Sequence, residues 1–263
     1  MELTILQAIF LGLVQGFTEF LPISSSGHLA LMPFLFDFDD PGLSFSAALH
    51  LGTLLAVVIY FRKDLSSIFQ SAFGWAAEDS QLPQQALLLL VIATIPAVII
   101  GFFFEDIIET LLRAPMIIAI LLVGGSLFFY LTDHFAKKDR PMKEISREDT
   151  IIFGLLQAIA VIPGVSRSGM TIASGRMLGF SREASTRFSF LMAIPVILGA
   201  SILKLPDVIE HGLTITFVIG AVVSFIAAYL TIKYFLQFIQ KIPFSIFVWY
   251  SVFLAGVIIY FIY

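Results

Sequence analysis

Apolar residues gather along this chain into blocks separated by short polar runs. Six blocks, near 45 to 61, 86 to 104, 115 to 132, 184 to 204, 213 to 233 and 243 to 262, approach the length of a membrane span. A transmembrane helix needs about 20 such residues, so each block predicts one crossing. Two further apolar regions, 5 to 35 and 150 to 179, are interrupted at Pro22 to Gly27 and at Pro163 to Gly169. Each limb is too short to span comfortably, which predicts a re-entrant helical hairpin in each region. Irregular backbone at membrane depth is tolerated only where protein or a wet cavity covers it.

The two interrupted regions are copies of one another. A shift of 142 residues lays Gly12 on Gly154, Leu13 on Leu155, Gln15 on Gln157, Ser24 on Ser166, Ser26 on Ser168 and Gly27 on Gly169. The segments that follow echo as well, FSAALHLG from Phe45 against FSFLMAIP from Phe188. An internal duplication accounts for both. Each half, about 1 to 133 and about 148 to 263, then holds one hairpin and three spanning helices within a single integral membrane domain. Because a hairpin returns to its own side, three crossings turn the second half upside down. The expected fold is an all-α polytopic inverted repeat, a plan common among transporters.

Composition agrees with a membrane protein: 59% of the 263 residues are hydrophobic and only 13% charged, against roughly 25% in soluble domains. No cysteine is present, which excludes disulfides, thiolate chemistry and cysteine zinc sites. The first apolar stretch lacks a basic leader and carries Glu2, Gln15 and Glu19, so it reads as mature protein. The net charge of −4 comes from loops, and no basic patch points to nucleic acid. If the charged loop at 133 to 149 is cytoplasmic, twelve of the fifteen Lys and Arg residues fall inside, and only Arg113 and Lys204 fall outside. Both termini are then expected on the external side of a multi-pass inner membrane protein. Arg167 is left within the membrane.

An arginine there costs at least about 3 kcal/mol unless it is paired or hydrated. It reads either as one half of a structural ion pair or as an anion site, since guanidinium is a planar fork suited to phosphate oxygens. Ser166 and Ser168 add hydroxyls beside it, and Gly169 allows close approach of a ligand. Serine is a favoured N-cap, and an apolar helix resumes after each cluster, so Ser24 to Ser26 and Ser166 to Ser168 are expected at helix starts. A helix N-terminus is itself an anion site. His28, three residues after Ser25, shares its face, a pairing able to activate a hydroxyl. Glu19, four residues after Gln15, needs a partner, which His28, Arg167 or a divalent cation could supply. Across the repeat, Glu19 faces Val161, Ser25 faces Arg167 and His28 faces Met170. Such a division suits one shared catalytic site better than two equal transport sites.

QGFTEFLPISSSGH at 15 to 28 and PGVSRSGMT at 163 to 171 resemble the two signature blocks of the undecaprenyl-diphosphatase family of the bacitracin-resistance type, and SREASTRFSFLMAIP at 181 to 195 extends the likeness over essentially the whole chain. The resemblance implies a membrane phosphatase that removes the terminal phosphate of undecaprenyl diphosphate, recycling undecaprenyl phosphate for peptidoglycan and other cell-wall polymers. It makes Ser25 the nucleophile, His28 its acid/base partner, Arg167 the diphosphate clamp and Glu19 a metal-binding or orienting carboxylate. Gln15, Ser24, Ser26, Ser166, Ser168, Gly169 and Thr171 would line the substrate site. A divalent cation, Mg2+ or Ca2+, is the implied cofactor. Many members carry glutamate where Gln15 stands, so the carboxylate pair is halved here. A homodimer is allowed. The competing expectation is a flippase of undecaprenyl phosphate using the same site. An unrelated lipid phosphatase of the Pro-Ser-Gly-His type fails on spacing, since position 173 is alanine rather than histidine.

Overall fold

A computed structural model describes residues 3–75, 82–83, 85–104, 107, 111–136, 139–204, 206 and 214–263, with Leu43 as backbone alone. Among the described residues eleven α-helices occur: α1 (Ile5–Thr18), α2 (Ser25–Phe36), α3 (Gly42–Tyr60), α4 (Arg62–Ala72), α5 (Ala86–Phe103), α6 (Pro115–Phe135), α7 (Arg147–Ile159), α8 (Arg167–Met177), α9 (Arg182–Leu203), α10 (Ile215–Phe238) and α11 (Ser245–Ile262). Among the described residues there is no strand, only an isolated bridge between Arg140 and Phe180.

Five helices, α5, α6, α9, α10 and α11, are long and apolar enough to cross a membrane, and α3 with α4 makes a sixth if that bent pair is one span. The bend, 73° at Phe61, was not expected from the sequence, nor was α4. Arg62, Lys63 and Asp64 look like the end of a span, but the helix resumes in a new direction. Phe69, Phe73 and Trp75 are exposed along and just beyond α4, as suits aromatic rings at a membrane interface. α10 also runs five residues past its expected end at 233, with the ammonium of Lys233 lying 5.6 Å from the Tyr234 ring. A long aliphatic stem lets such a lysine keep its charge near water while the helix continues. Residue 213 of the expected span, and Lys137 and Lys138 of the charged loop, lie outside the described residues.

The two interrupted regions each form a pair of short helices. Thr4 and Gln7 make a capping box at the start of α1, and Ser146 and Asp149 make one at the start of α7. α1 packs on α10, α3 also packs on α10, and α5 packs on α7, while α8 sits against α6 and α9. Lipid supplies little hydrophobic drive between helices, so close packing and buried hydrogen bonds must hold them. Gly16 of α1 and Gly52 of α3 permit the approach to α10: a Cβ on Gly16 would fall 2.6 Å from the Ser224 carbonyl oxygen, and one on Gly52 2.2 Å from that of Ala221. The Ser224 hydroxyl then donates to the Leu49 carbonyl at 2.8 Å, and Gln157 Nε2 to the Ala93 carbonyl at 3.0 Å.

At one end of the bundle Asp133 binds two arginines. Arg176 Nε donates to its Oδ1 at 2.7 Å and Arg182 Nη2 to its Oδ2 at 2.6 Å, tying α6 to α8 and to α9. Arg187 pairs with Asp64 at 2.7 Å and Arg140 with Asp149 at 3.0 Å. Removing Asp133 strands two partly desolvated cations, a loss of about 3–5 kcal/mol for a buried pair. Asp133→Asn is therefore expected to lower the melting temperature of the detergent-purified protein. Gly52→Leu is expected to do the same by forcing α3 from α10, whereas Gly124→Val is a silent control, because nothing lies within 4 Å of a Cβ there. Scanning fluorimetry of the three variants checks both statements.

Candidate active site

The chain breaks between α1 and α2 and between α7 and α8 meet. Ser24 and Ser166 are the N-caps of α2 and α8, each accepting from the glycine N–H three residues on, Gly27 and Gly169. Both serines have positive φ, 66° and 72°. A non-glycine residue in that region costs about 1–3 kcal/mol and persists only where its surroundings hold it. Here the copies hold one another. The Gly164 N–H of the second break donates to Ser24 Oγ at 3.0 Å, and Ser168 Oγ donates to the Leu21 carbonyl of the first break at 2.7 Å.

Glu19, the C-cap residue of α1, lies just before this junction and is buried. Arg167 Nη2 donates to its Oε1 at 2.8 Å, and the Ser25 hydroxyl donates to its Oε2 at 2.6 Å. Gln15 Nε2 adds a bond to Oε2 at 2.9 Å from one turn earlier. The other arm of Arg167 donates to the Ser189 carbonyl at 3.1 Å, so the guanidinium is anchored on two sides. Opposite charge, short distance and burial make this the strongest electrostatic contact at the junction.

A cavity of about 460 Å3 opens on the pair. Its polar end carries Glu19, Arg167, His50, Gln157 and the serines 24, 25, 26, 166 and 168. Its other walls are apolar, from α5 and α9, where Val98, Phe102, Ile202 and Leu203 both line the cavity and are exposed on the outer surface of the bundle. The cavity is thus polar at one end and apolar over the part of its wall that α5 and α9 supply.

Several expected residues converge here and several do not. Ser25, Glu19 and Arg167 form one hydrogen-bonded chain, with Ser24, Ser26, Ser166 and Ser168 around it. Gln15 stands behind Glu19 rather than in the cavity wall, and its Oε1 is buried without a partner. Gly169 serves the Ser166 cap. Thr171 is fully buried, its hydroxyl bonded to the Arg167 carbonyl at 2.8 Å and to Ser189 Oγ at 2.6 Å. His28 does not meet Ser25: its Nδ1 bonds the Ser24 carbonyl at 2.7 Å and its Nε2 the Tyr250 hydroxyl at 2.6 Å. A carbonyl only accepts, so Nδ1 carries the proton and Nε2 accepts from Tyr250. The shared helix face was a sound inference, but α11 supplied a better partner than Ser25.

His50 and Ser189 were missed. Both lie in the echoing segments FSAALHLG and FSFLMAIP, so the repeat that marked those segments as equivalent was also the available signal. His50 Nε2 stands 3.6 Å from Glu19 Oε2. As for a cation, Glu19 is the only carboxylate in the described cavity wall, and both its oxygens already accept from donors. No group of three His, Asp or Glu residues able to hold a metal occurs among the described residues. One engaged carboxylate is a poor match to the six or more oxygen ligands a Ca2+ or Mg2+ ion takes, so a protein-built cage does not fit this site.

Comparison with known proteins extends beyond the motifs. The chain is 43% identical over 258 residues to a protein of Moorella thermoacetica named undecaprenyl-diphosphatase, covering 98% of this chain and 97% of that one. Proteins of the same name from Desulforudis audaxviator and Idiomarina loihiensis are each 43% identical, covering 96% of this chain in both cases and 96% and 97% of their own lengths. A family model described as bacitracin resistance protein BacA matches residues 8–257. The residues that build the junction, from Gln15 to Thr171, all fall inside that match, and the chain belongs to the bacitracin resistance protein BacA family.

Proposed function

We propose that this protein is a membrane phosphatase that hydrolyses undecaprenyl diphosphate to undecaprenyl phosphate and inorganic phosphate, returning the carrier lipid for cell-wall polymer synthesis and conferring bacitracin resistance. The observation that carries the assignment is a hydroxyl bonded to a buried carboxylate that is itself bonded to an arginine, Ser25 to Glu19 to Arg167, at the polar end of a cavity whose remaining walls are apolar. A diphosphate headgroup matches the one end and a prenyl chain the other, entering between α5 and α9. Relatives named undecaprenyl-diphosphatase support the same substrate.

Phosphoryl transfer asks chiefly for positioning and charge stabilisation. Ser25 Oγ attacks the terminal phosphorus as the bond from that phosphorus to the bridging oxygen breaks, and the serine proton passes to Glu19 Oε2. Arg167 and the N-termini of α2 and α8 stabilise the equatorial oxygens. Water then attacks the phosphoserine, releasing phosphate and restoring Ser25. Glu19 is the base within reach of Ser25, and His28 is a buried tie between α2 and α11. The residues at the junction do not build a cage for a divalent cation, and no step of this scheme passes through one. All the side chains come from one copy of the chain, so a homodimer is not required for hydrolysis. Lipid translocation is set aside because the reactive groups are unequal between the repeats.

The arrangement is further read as an inverted repeat of two re-entrant hairpins, each followed by three spans, with both termini external. Supporting this, the helix pairings are exchanged between halves, α1 on α10 and α7 on α5, and both breaks close on a positive-φ serine. Arg62, Arg140, Arg176, Arg182 and Arg187, assigned inside by charge, belong to ion-pair networks or helix ends away from the cavity.

In detergent, where no transport exists, Ser25→Ala and Glu19→Gln are each expected to cut phosphate release from undecaprenyl diphosphate by about 100-fold or more. Near-normal release from Ser25→Ala would replace the covalent route with direct attack by water. His28→Ala should lower the melting temperature more than Ser25→Ala does, since it removes the bond to Tyr250, worth about 0.5–1.5 kcal/mol, and empties the space of a buried ring. Because the chain lacks cysteine, single introduced thiols report topology cleanly. Asp39→Cys should react with an impermeant maleimide on intact spheroplasts, and Lys143→Cys only after permeabilisation; the opposite pattern inverts the assignment.

A further inference from the structure

A second cavity, of about 300 Å3, adjoins the first and shares Ser26, His50, Val161 and Ala200 with it. Its own wall includes Arg113, Lys204, Ser46 and Ser201. Of the shared residues only His50 can carry a proton. Its Nδ1 bonds the Ser46 carbonyl at 2.7 Å, which fixes the proton on Nδ1 and leaves the Nε2 lone pair facing Glu19 Oε2 at 3.6 Å. His50 and His28 are built alike, each bonding through Nδ1 to the carbonyl four residues back. They differ in what Nε2 meets: a hydroxyl that satisfies it for His28, a carboxylate that cannot for His50.

Hydrolysis of a fully ionised diphosphate ester turns one trianion and a water into two phosphate dianions and a proton. In the scheme above that proton comes to rest on Glu19, which is buried beneath Arg167, Ser25 and Gln15. Resting on that scheme, we infer that His50 is a further catalytic residue, the acceptor that takes the proton from Glu19 and delivers it to the Arg113 and Lys204 cavity. After Ser25 Oγ has bonded to phosphorus, Glu19 Oε2–H gives its proton to His50 Nε2. Glu19 is again a carboxylate and draws a proton from the attacking water. When the Oγ–P bond breaks, Glu19 returns that proton to Ser25 Oγ, while His50 releases the first to water. Every proton is accounted for, and no oxidant, reductant or metal is needed.

The charged groups facing His50 are Glu19 from the end of α1, Arg167 from α8, Arg113 from the turn before α6 and Lys204 from the end of α9. Arg113 is neutralised by Asp40 at 2.8 Å.

The test is His50→Gln in purified enzyme, which keeps a polar side chain without a titrating group. Expected are a kcat lower by about 100-fold with KM changed less than about twofold, and phosphoserine at position 25 trapped by mass spectrometry, because Glu19 stays protonated and cannot activate water. His50→Ala should regain activity in imidazole, which guards against a misfolded glutamine variant. A normal kcat overturns the inference, and so does a slow variant with neither phosphoserine nor imidazole rescue. If Ser25→Ala is inactive while His50→Gln is normal, only the role of His50 falls; if Ser25→Ala is active, the covalent scheme itself falls.

Discussion

The ion pair between Arg167 and Glu19 is the contact on which the rest of the molecule depends. Neither partner is tolerable alone in an apolar medium, where an unpaired charge costs several kcal/mol. They come from opposite halves of the chain, 148 residues apart, so the pair exists only when both halves are folded against each other. Orienting the carboxylate toward Arg167 through one oxygen leaves the second for Ser25. The same bond that neutralises the arginine therefore fixes the carboxylate beside the Ser25 hydroxyl.

Around that pair, strain and compensation are distributed in equal measure between the halves. Ser24 and Ser166 adopt a backbone conformation that serine normally avoids; each accepts from its own glycine, Ser24 also accepts from Gly164 of the opposite break, and Ser168 beside Ser166 donates to Leu21 of the first. Either break alone would lack these bonds between the two and would leave their backbone groups without partners. Each half thus completes the other, which is why a polar junction can persist between apolar walls without a continuous helix crossing it. The close contacts of α1 and α3 with α10 keep the scaffold narrow enough for the junction to form.

The repeats share a framework but have parted in chemistry. Serine caps and the glycines after them are common to both, as are two glutamines, Gln15 and Gln157, whose Nε2 groups bond and whose Oε1 atoms are left buried without partners. The carboxylate and the hydroxyl occur once, in the first copy, and the guanidinium once, in the second. The two histidines of the first half show how little separates a structural role from a chemical one. Both are tethered through Nδ1 to a carbonyl four residues back, and the neighbour that each Nε2 meets makes the difference.

The residue pattern by itself determined the class of fold, since blocks of about 20 apolar residues leave no soluble alternative. Its repetition also located the junction, because proline, glycine and serine interrupting an apolar run are stable only under protein cover. Glu19, Ser25 and Arg167 were legible as polar residues in the wrong solvent. Which of them touch was not legible, because spacing along one helix constrains local neighbours and says nothing of a partner on another element. Tyr250 of α11 took His28 from Ser25, and the bend at Phe61 lay hidden under a run of charges that ordinarily ends a span. His50 was hidden for the opposite reason: a histidine within an apolar block has no local signature of function. Only the packing of α3 beside the end of α1 put its free nitrogen against the carboxylate, since that distance is set by contacts between helices remote in sequence.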